Sequence, residues 1–192
     1  MSGQKPVKPS PDGLAASVKA TKTKGLPPVH LWNPPFCGDL DIHIAKDGTW
    51  SYLGSPINRF ELVKLFSSIL KKEGDKFYLV TPVEKVGITV EDAPFLAVDF
   101  DRTRDGDAQS LTFTTQVGDT ASAGTEHPIR VVIDPETEEP APYILIRANL
   151  EARIDRKSFY RLVDIGTEHD GWFGVWSDGQ FFPLIQSDQL SE

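Results

Sequence analysis

Alternation is the first signal along the chain. From Asp39 to Ala45, the residues Leu40, Ile42 and Ile44 fall on one side and Asp39, Asp41 and His43 on the other. That period of two is the mark of a half-buried strand. Asp47-Gly48 follows, and Trp50 and Tyr52 resume the pattern. Asp-Gly between alternating runs predicts a hairpin, because both residues tolerate positive φ. The period then changes. Asn58-Arg59-Phe60-Glu61 reads as an N-cap with an acid three residues on, opening a helix. Leu62, Leu65, Phe66, Ile69 and Leu70 supply its buried stripe and Gly74 its stop. Phe77–Val80 and Val83–Val90 predict two strands broken at Thr81-Pro82.

The second half is richer in strands, expected at Phe95–Asp101, Ser110–Gln116, Ile129–Ile133, Tyr143–Arg147 and Leu150–Ile154. A short helix capped by Asp155 should run from Arg156 to about Ile165. Trp172–Trp176, a Ser177-Asp178-Gly179 turn and Gln180–Ile185 close the chain. Asp105-Gly106-Asp107 and Asp134–Pro142 read as loops. The second holds Glu136, Glu138, Glu139 and three prolines, so it is expected to be exposed and mobile.

One stretch repeats. Ile57–Phe66 aligns without a gap on Ile154–Val163, with Ile, Arg and Leu identical, Asn58 matching Asp155 and Lys64 matching Arg161. Chance similarity between amphipathic helices is the plain alternative. Matched caps followed by Arg, and hairpins on both sides of each copy, favour duplication. The expected fold is therefore α+β, with two related lobes each built as hairpin, helix, hairpin. Duplicated lobes suggest a ligand cleft between them.

Composition changes this picture at one end. The chain has 192 residues, 39% of them hydrophobic, enough for one domain or two small ones. Residues 1–30 hold five lysines, one aspartate and five prolines, and predict a disordered basic tail. Residues 31–92 and 93–192 are then the two lobes. The net charge of −8 divides into +4 on the tail and −12 on the remainder. An acidic body disfavours nucleic acid and anionic membranes as partners, and no apolar run reaches the roughly 20 residues that span a bilayer. The single Cys37 excludes an internal disulfide and a CxxC site. It fits a reducing cytoplasm, and the first residues show no secretory apolar stretch.

Chemical motifs are sparse. Asp39, Asp41 and His43 could hold a metal, but alternation yields such trios on any exposed strand face. His30, His127 and His169 fall in loops or the tail, and Cys37 would need a histidine nearby to act as a nucleophile. GxSxG and Gly-rich phosphate loops are missing. No catalytic residue, metal ligand or cofactor is assigned. What remains is a set of aromatic and charged residues near the repeat: Trp50, Tyr52, Arg59, Lys64, Glu84 and Lys85 in the first lobe, Arg147, Glu151, Arg156, Tyr160 and Trp176 in the second. Aromatic planes with Arg and acid neighbours suit a flat polar ring, which stacks while its edge is paired. The alternative is that Trp50, Tyr160 and Trp176 are core and that Arg59 and Arg156 pair with structural carboxylates.

Several of these runs, in order, resemble a bacterial family of unknown function, DUF1285. They are Gly38-Asp39-Leu40-Asp41, Asp47–Arg59, Leu62–Phe66, Leu79–Val86, Asp92-Ala93-Pro94-Phe95, Leu150-Glu151-Ala152, Arg156, Phe159-Tyr160 and Gly174–Gly179. The resemblance covers about Pro35 to Leu184. It implies a duplicated α+β core, a strand-rich C-terminal lobe like a pleckstrin-homology fold, an interdomain pocket for a nucleobase-like ligand, and a signalling role. It implies no catalytic activity. The expectation is a cytoplasmic, non-enzymatic protein binding a small planar ligand, a nucleobase or nucleotide, in bacterial signal transduction. The alternatives are a regulatory module contacting a signalling protein through the pleckstrin-like lobe, and an uncharacterised enzyme.

Overall fold

The computed structural model describes residues 8–191, and the chain divides between Glu91 and Asp92 into two units, each with its own sheet. The first contains α1 (Pro11–Ala20), β1 (Phe36–Ile44), β2 (Trp50–Tyr52), β3 (Ser55–Pro56), α2 (Phe60–Ser67), β4 (Leu70–Glu73), β5 (Lys76–Val80) and β6 (Lys85–Val90). Its strands lie in the order β3-β2-β1-β6-β5-β4. Two antiparallel meanders thus meet at one parallel pair, β1 with β6. Leu40, Ile42 and Ile44 of β1 are buried together with Trp50, Phe66, Leu79 and Val86, as the alternation requires.

The second unit contains β7 (Phe95–Thr103), β8 (Ser110–Thr115), β9 (Thr120–Ser122), β10 (Ile129–Ile133), β11 (Pro140–Arg147), β12 (Leu150–Ile154), α3 (Arg156–Asp164), β13 (Thr167–His169), β14 (Trp172–Ser177) and β15 (Gln180–Gln186). Its large sheet runs β10-β11-β12-β7-β8-β9, again two meanders joined by a parallel pair, here β12 with β7. Strands β13-β14-β15 form a separate antiparallel sheet. The protein is α+β in two lobes, the C-terminal one rich in strands.

The helix match phases the duplication more finely. The segment β1–β6 with α2 corresponds to β10–β15 with α3, each being three strands, a helix and three strands. Strands β7–β9 stand ahead of the second copy. β10 and β15 lie side by side without a hydrogen-bonded ladder, where β1 and β6 are paired.

Four expectations need correction. Residues 11–20 of the expected tail are helical: Ser10 Oγ accepts from the Gly13 N–H at 3.1 Å, Pro11 occupies the first turn, and Leu14, Ala15 and Val18 are buried. Residues 1–7 of that tail lie outside the described residues. Helix α2 ends at Ser67, not Gly74, because Leu70–Glu73 pair antiparallel with Lys76–Leu79 and Gly74 serves the turn between them. Its N-cap is Arg59, with no side-chain capping bond, so Asn58 does not cap it. Finally, Pro140–Pro142 belong to β11, which shortens the acidic loop. Asp134 organises what is left, its Oδ1 accepting from the N–H groups of Glu136 and Thr137.

Candidate functional site

A groove of about 890 Å³ runs over the face of the N-terminal sheet opposite its hydrophobic core. Residues directly across the ladders share a face, so the pairing of Asp39 with Gly87 and of Gly87 with Tyr78 places these three in a row across β1, β6 and β5. Gly87, in the middle, is buried beneath its neighbours. A Cβ there would collide with the Asp39 carboxylate and come within 3.7 Å of the Phe36 ring, so only glycine lets these side chains close over the strand. Phe36 meets Tyr78 edge to face, with ring centroids 6.0 Å apart.

Lys85 supplies the charge at one end. Its Nζ lies 4.5 Å from the centre of the Tyr78 ring and 2.9 Å from Glu73 Oε2, while Lys71 approaches Glu73 at 3.5 Å. The hydrogen bond from Lys85 holds the Glu73 carboxyl below the usual carboxylate range. Asp39, Asp41, Asp75, Lys76 and Thr89 also line the groove, the three acids being exposed. Further along the same face, His43 lies 3.6 Å from Glu91, whose Oε2 also accepts from the Lys46 N–H. The groove thus offers an aromatic edge, an engaged ammonium and open carboxylates. That combination can seat a flat polar ring. Among the described residues no three His, Cys, Asp or Glu side chains are placed to share a metal ion, so the Asp39, Asp41 and His43 trio does not converge.

Of the sequence-derived candidates, Lys85 lines this groove. The sheet itself separates it from two others in the same unit. Trp50 is buried, its ring stacked on Phe66 at 6.4 Å, and Tyr52 pairs with Ile42 on that same buried face. Arg59 and Lys64 are exposed on α2. Glu84 sits half-buried in the Thr81–Glu84 turn, where burial pushes its carboxyl above the ordinary range.

The candidates of the second unit have local partners. Arg147 pairs with Asp119 at 2.7 Å and stacks over Phe95. Glu151 receives both Nε and Nη2 of Arg130, at 2.7 and 2.8 Å, and Arg130 in turn lies over Tyr143. Arg156 approaches Glu139 at 3.8 Å, and Tyr160 is 58% exposed on α3. Trp176 packs against His169 and Phe181. Of the alternative assignments, Trp50 is core, whereas Tyr160 is exposed and Arg156 reaches only an exposed carboxylate.

Sequence reasoning missed Phe36, Asp39, Tyr78 and Gly87 as one constellation. Gly87, an isolated glycine inside a strand pattern, was the legible signal of close approach. The parallel pairing of β1 with β6, which assembles the rest, joins residues more than forty apart and leaves no local mark.

Comparison with known proteins places the chain among relatives without a described activity. A family model described as the N-terminal domain of unknown function DUF1285 matches residues 27–93, and one for the C-terminal domain of that family matches 94–184. A crystal structure of a DUF1285 family protein from Silicibacter pomeroyi DSS-3 is 64% identical, covers 94% of this chain and 98% of its own, and superposes with a TM-score of 0.88. Another, from Shewanella baltica OS155, is 31% identical over 65% of this chain and 91% of its own, with a TM-score of 0.52. No curated protein matches.

Proposed function

The chain belongs to the DUF1285 family, and from its own residues we propose that it is a non-enzymatic binding protein for a small planar ligand, a nucleobase or nucleotide, acting in cytoplasmic signal transduction. The observation that carries this reading is the groove across β1, β6 and β5, where Phe36 meets Tyr78 edge to face between the exposed Asp39 carboxylate and Lys85. A flat ring laid there stacks on an aromatic neighbour while its N–H edge meets a carboxylate. The volume of about 890 Å³ is of the size that small ligands occupy. The ligand site moves, in this reading, from the arginine-bearing set expected from sequence to the N-terminal sheet.

A thermal-shift series with free bases, nucleosides and nucleotides tests it. Ligand at about 100 times its dissociation constant adds about 2.7 kcal/mol of stability, worth roughly 5–10 °C in Tm for a chain of this length. Tyr78→Ala and Asp39→Asn should each remove the shift while leaving the unliganded protein folded. A flat response to every compound at millimolar concentration would overturn the reading.

A further inference from the structure

The small sheet of the C-terminal unit reverses the usual arrangement of an antiparallel sheet with one wet face, where outward positions are polar. Its inner positions are ordinary: Val175, Ser177, Phe182 and Leu184 are buried. Its outer positions are Trp172, Gly174 and Trp176 on β14, Phe181 and Pro183 on β15, and Thr167 and His169 on β13, as the ladder pairing requires. Trp172 remains 39% exposed, and Pro183 and His169 are exposed beside it.

Gly174 lets β15 and the aromatics close over the central strand. A Cβ there would collide with the Phe182 carbonyl oxygen and come within 2.8 Å of the Phe181 ring. With none present, His169 and Phe181 reach over the central strand and pack at 5.0 Å, each also lying 4.9–5.3 Å from Trp176. The backbone beneath is pinned to the large sheet. Gln109 Nε2 donates to the Trp176 carbonyl at 2.8 Å, and Ser177 Oγ accepts from the Leu111 N–H at 2.9 Å and donates to the Ala123 carbonyl at 2.7 Å. This is a rigid aromatic platform, held by bonds the core does not need for its own apolar packing.

Charge says what it would receive. From Asp164 to the C-terminus the sequence contains no Lys or Arg, but carries Asp164, Glu168, Asp170, Asp178, Asp188 and Glu192. Asp170 and Asp178 stand in the two turns that border the platform, Asp170 88% exposed beside His169 at 3.2 Å and Asp178 facing Arg104 at 4.0 Å. Aromatic surfaces recognise polyproline-type segments because pyrrolidine rings lie flat on them and the extended helix is already ordered. An acidic rim adds attraction for cations and repels anionic partners.

We propose that the outer face of β13–β14–β15, built from Trp172, Trp176, Phe181, His169 and Pro183, is a docking surface for a lysine-bearing, proline-rich extended peptide of a partner protein. The groove at Gly87 plays no part, so a blank small-ligand screen leaves this proposal standing.

The test uses the full chain and three synthetic twelve-residue peptides: repeats of Lys-Pro-Pro, of Lys-Ser-Gly and of Glu-Pro-Pro. Binding is read from tryptophan fluorescence and from the indole N–H signals of the labelled protein. The Lys-Pro-Pro peptide should bind saturably and weaken with added salt, shifting the indole signals of Trp172 and Trp176 and leaving that of buried Trp50 in place. The other two peptides should bind at least about tenfold more weakly, a difference of about 1.4 kcal/mol. Trp172→Ala removes an exposed side chain and should cost a similar factor; Trp176→Ala should do the same, and Pro183→Ser serves as the check if that variant unfolds. Equal affinity for Lys-Ser-Gly, no saturable response to Lys-Pro-Pro, or full binding by folded Trp172→Ala would each overturn the proposal.

Discussion

At Gly87 the missing side chain lets Asp39 and Phe36 settle over the backbone of the N-terminal sheet. Replacing a strand glycine with alanine ordinarily gains several tenths of a kcal/mol by restricting the unfolded chain. Here the added methyl meets the Asp39 carboxylate, an exposed side chain that must swing aside, so Gly87→Ala is expected to gain less than that. In an Asp39→Ala background the same change should recover the full gain. A double-mutant cycle by urea denaturation checks this, and an equal effect in both backgrounds would acquit Asp39. Glu84 gives a second residue-scale prediction. Burial raises its carboxyl pKa in the fold above its unfolded value. The folded protein therefore holds that proton more tightly, and the associated stability is present at low pH and lost as pH rises through the folded pKa. Glu84→Gln should unfold at higher urea than the parent at pH 7, with the difference vanishing below about pH 4.

The two matched helices show at element scale what a sequence repeat does and does not transmit. Asp155 caps α3 as its identity suggests, its Oδ1 accepting from the Ser158 N–H at 2.8 Å. Asn58, its counterpart, makes no such bond, because the chain enters α2 one residue later at Arg59. Asp155→Ala should therefore cost about 1 kcal/mol, while Asn58→Ala should stay within about 0.5 kcal/mol. Parallel urea melts compare them directly, and equal costs would show that the caps are equivalent after all. Helix α1 makes the opposite point. Ser10-Pro11 followed by Leu14, Ala15 and Val18 is a sound helix start with an apolar stripe, but the surrounding lysines and prolines masked it. Local capping and three buried side chains outweighed composition.

At the scale of the whole molecule, charge and topology do different work. The +4 of residues 1–30 and the −12 of the rest make the body a poor host for polyanions. Full-length protein is expected to leave duplex DNA unretarded at about 150 mM salt. Any retardation at lower salt should disappear when the five lysines of residues 1–30 are exchanged for glutamine, and retardation that survives the exchange would place positive potential on the body. The sequence by itself determined most strands, the Asp155 cap, the family and the two-lobe α+β organisation. These follow from periodicity, turn chemistry and ordered motifs, which act within a few residues. Tertiary structure alone decided that β1 pairs in parallel with β6 and β7 with β12, and hence that Asp39, Gly87 and Tyr78 form one row. It alone turned Trp50 into core while leaving Trp172 exposed, although both open a strand and alternate with their neighbours. A strand pattern fixes which residues share a face. Which face is covered depends on the helix or sheet that arrives from elsewhere in the chain, and no local sequence signal carries that choice.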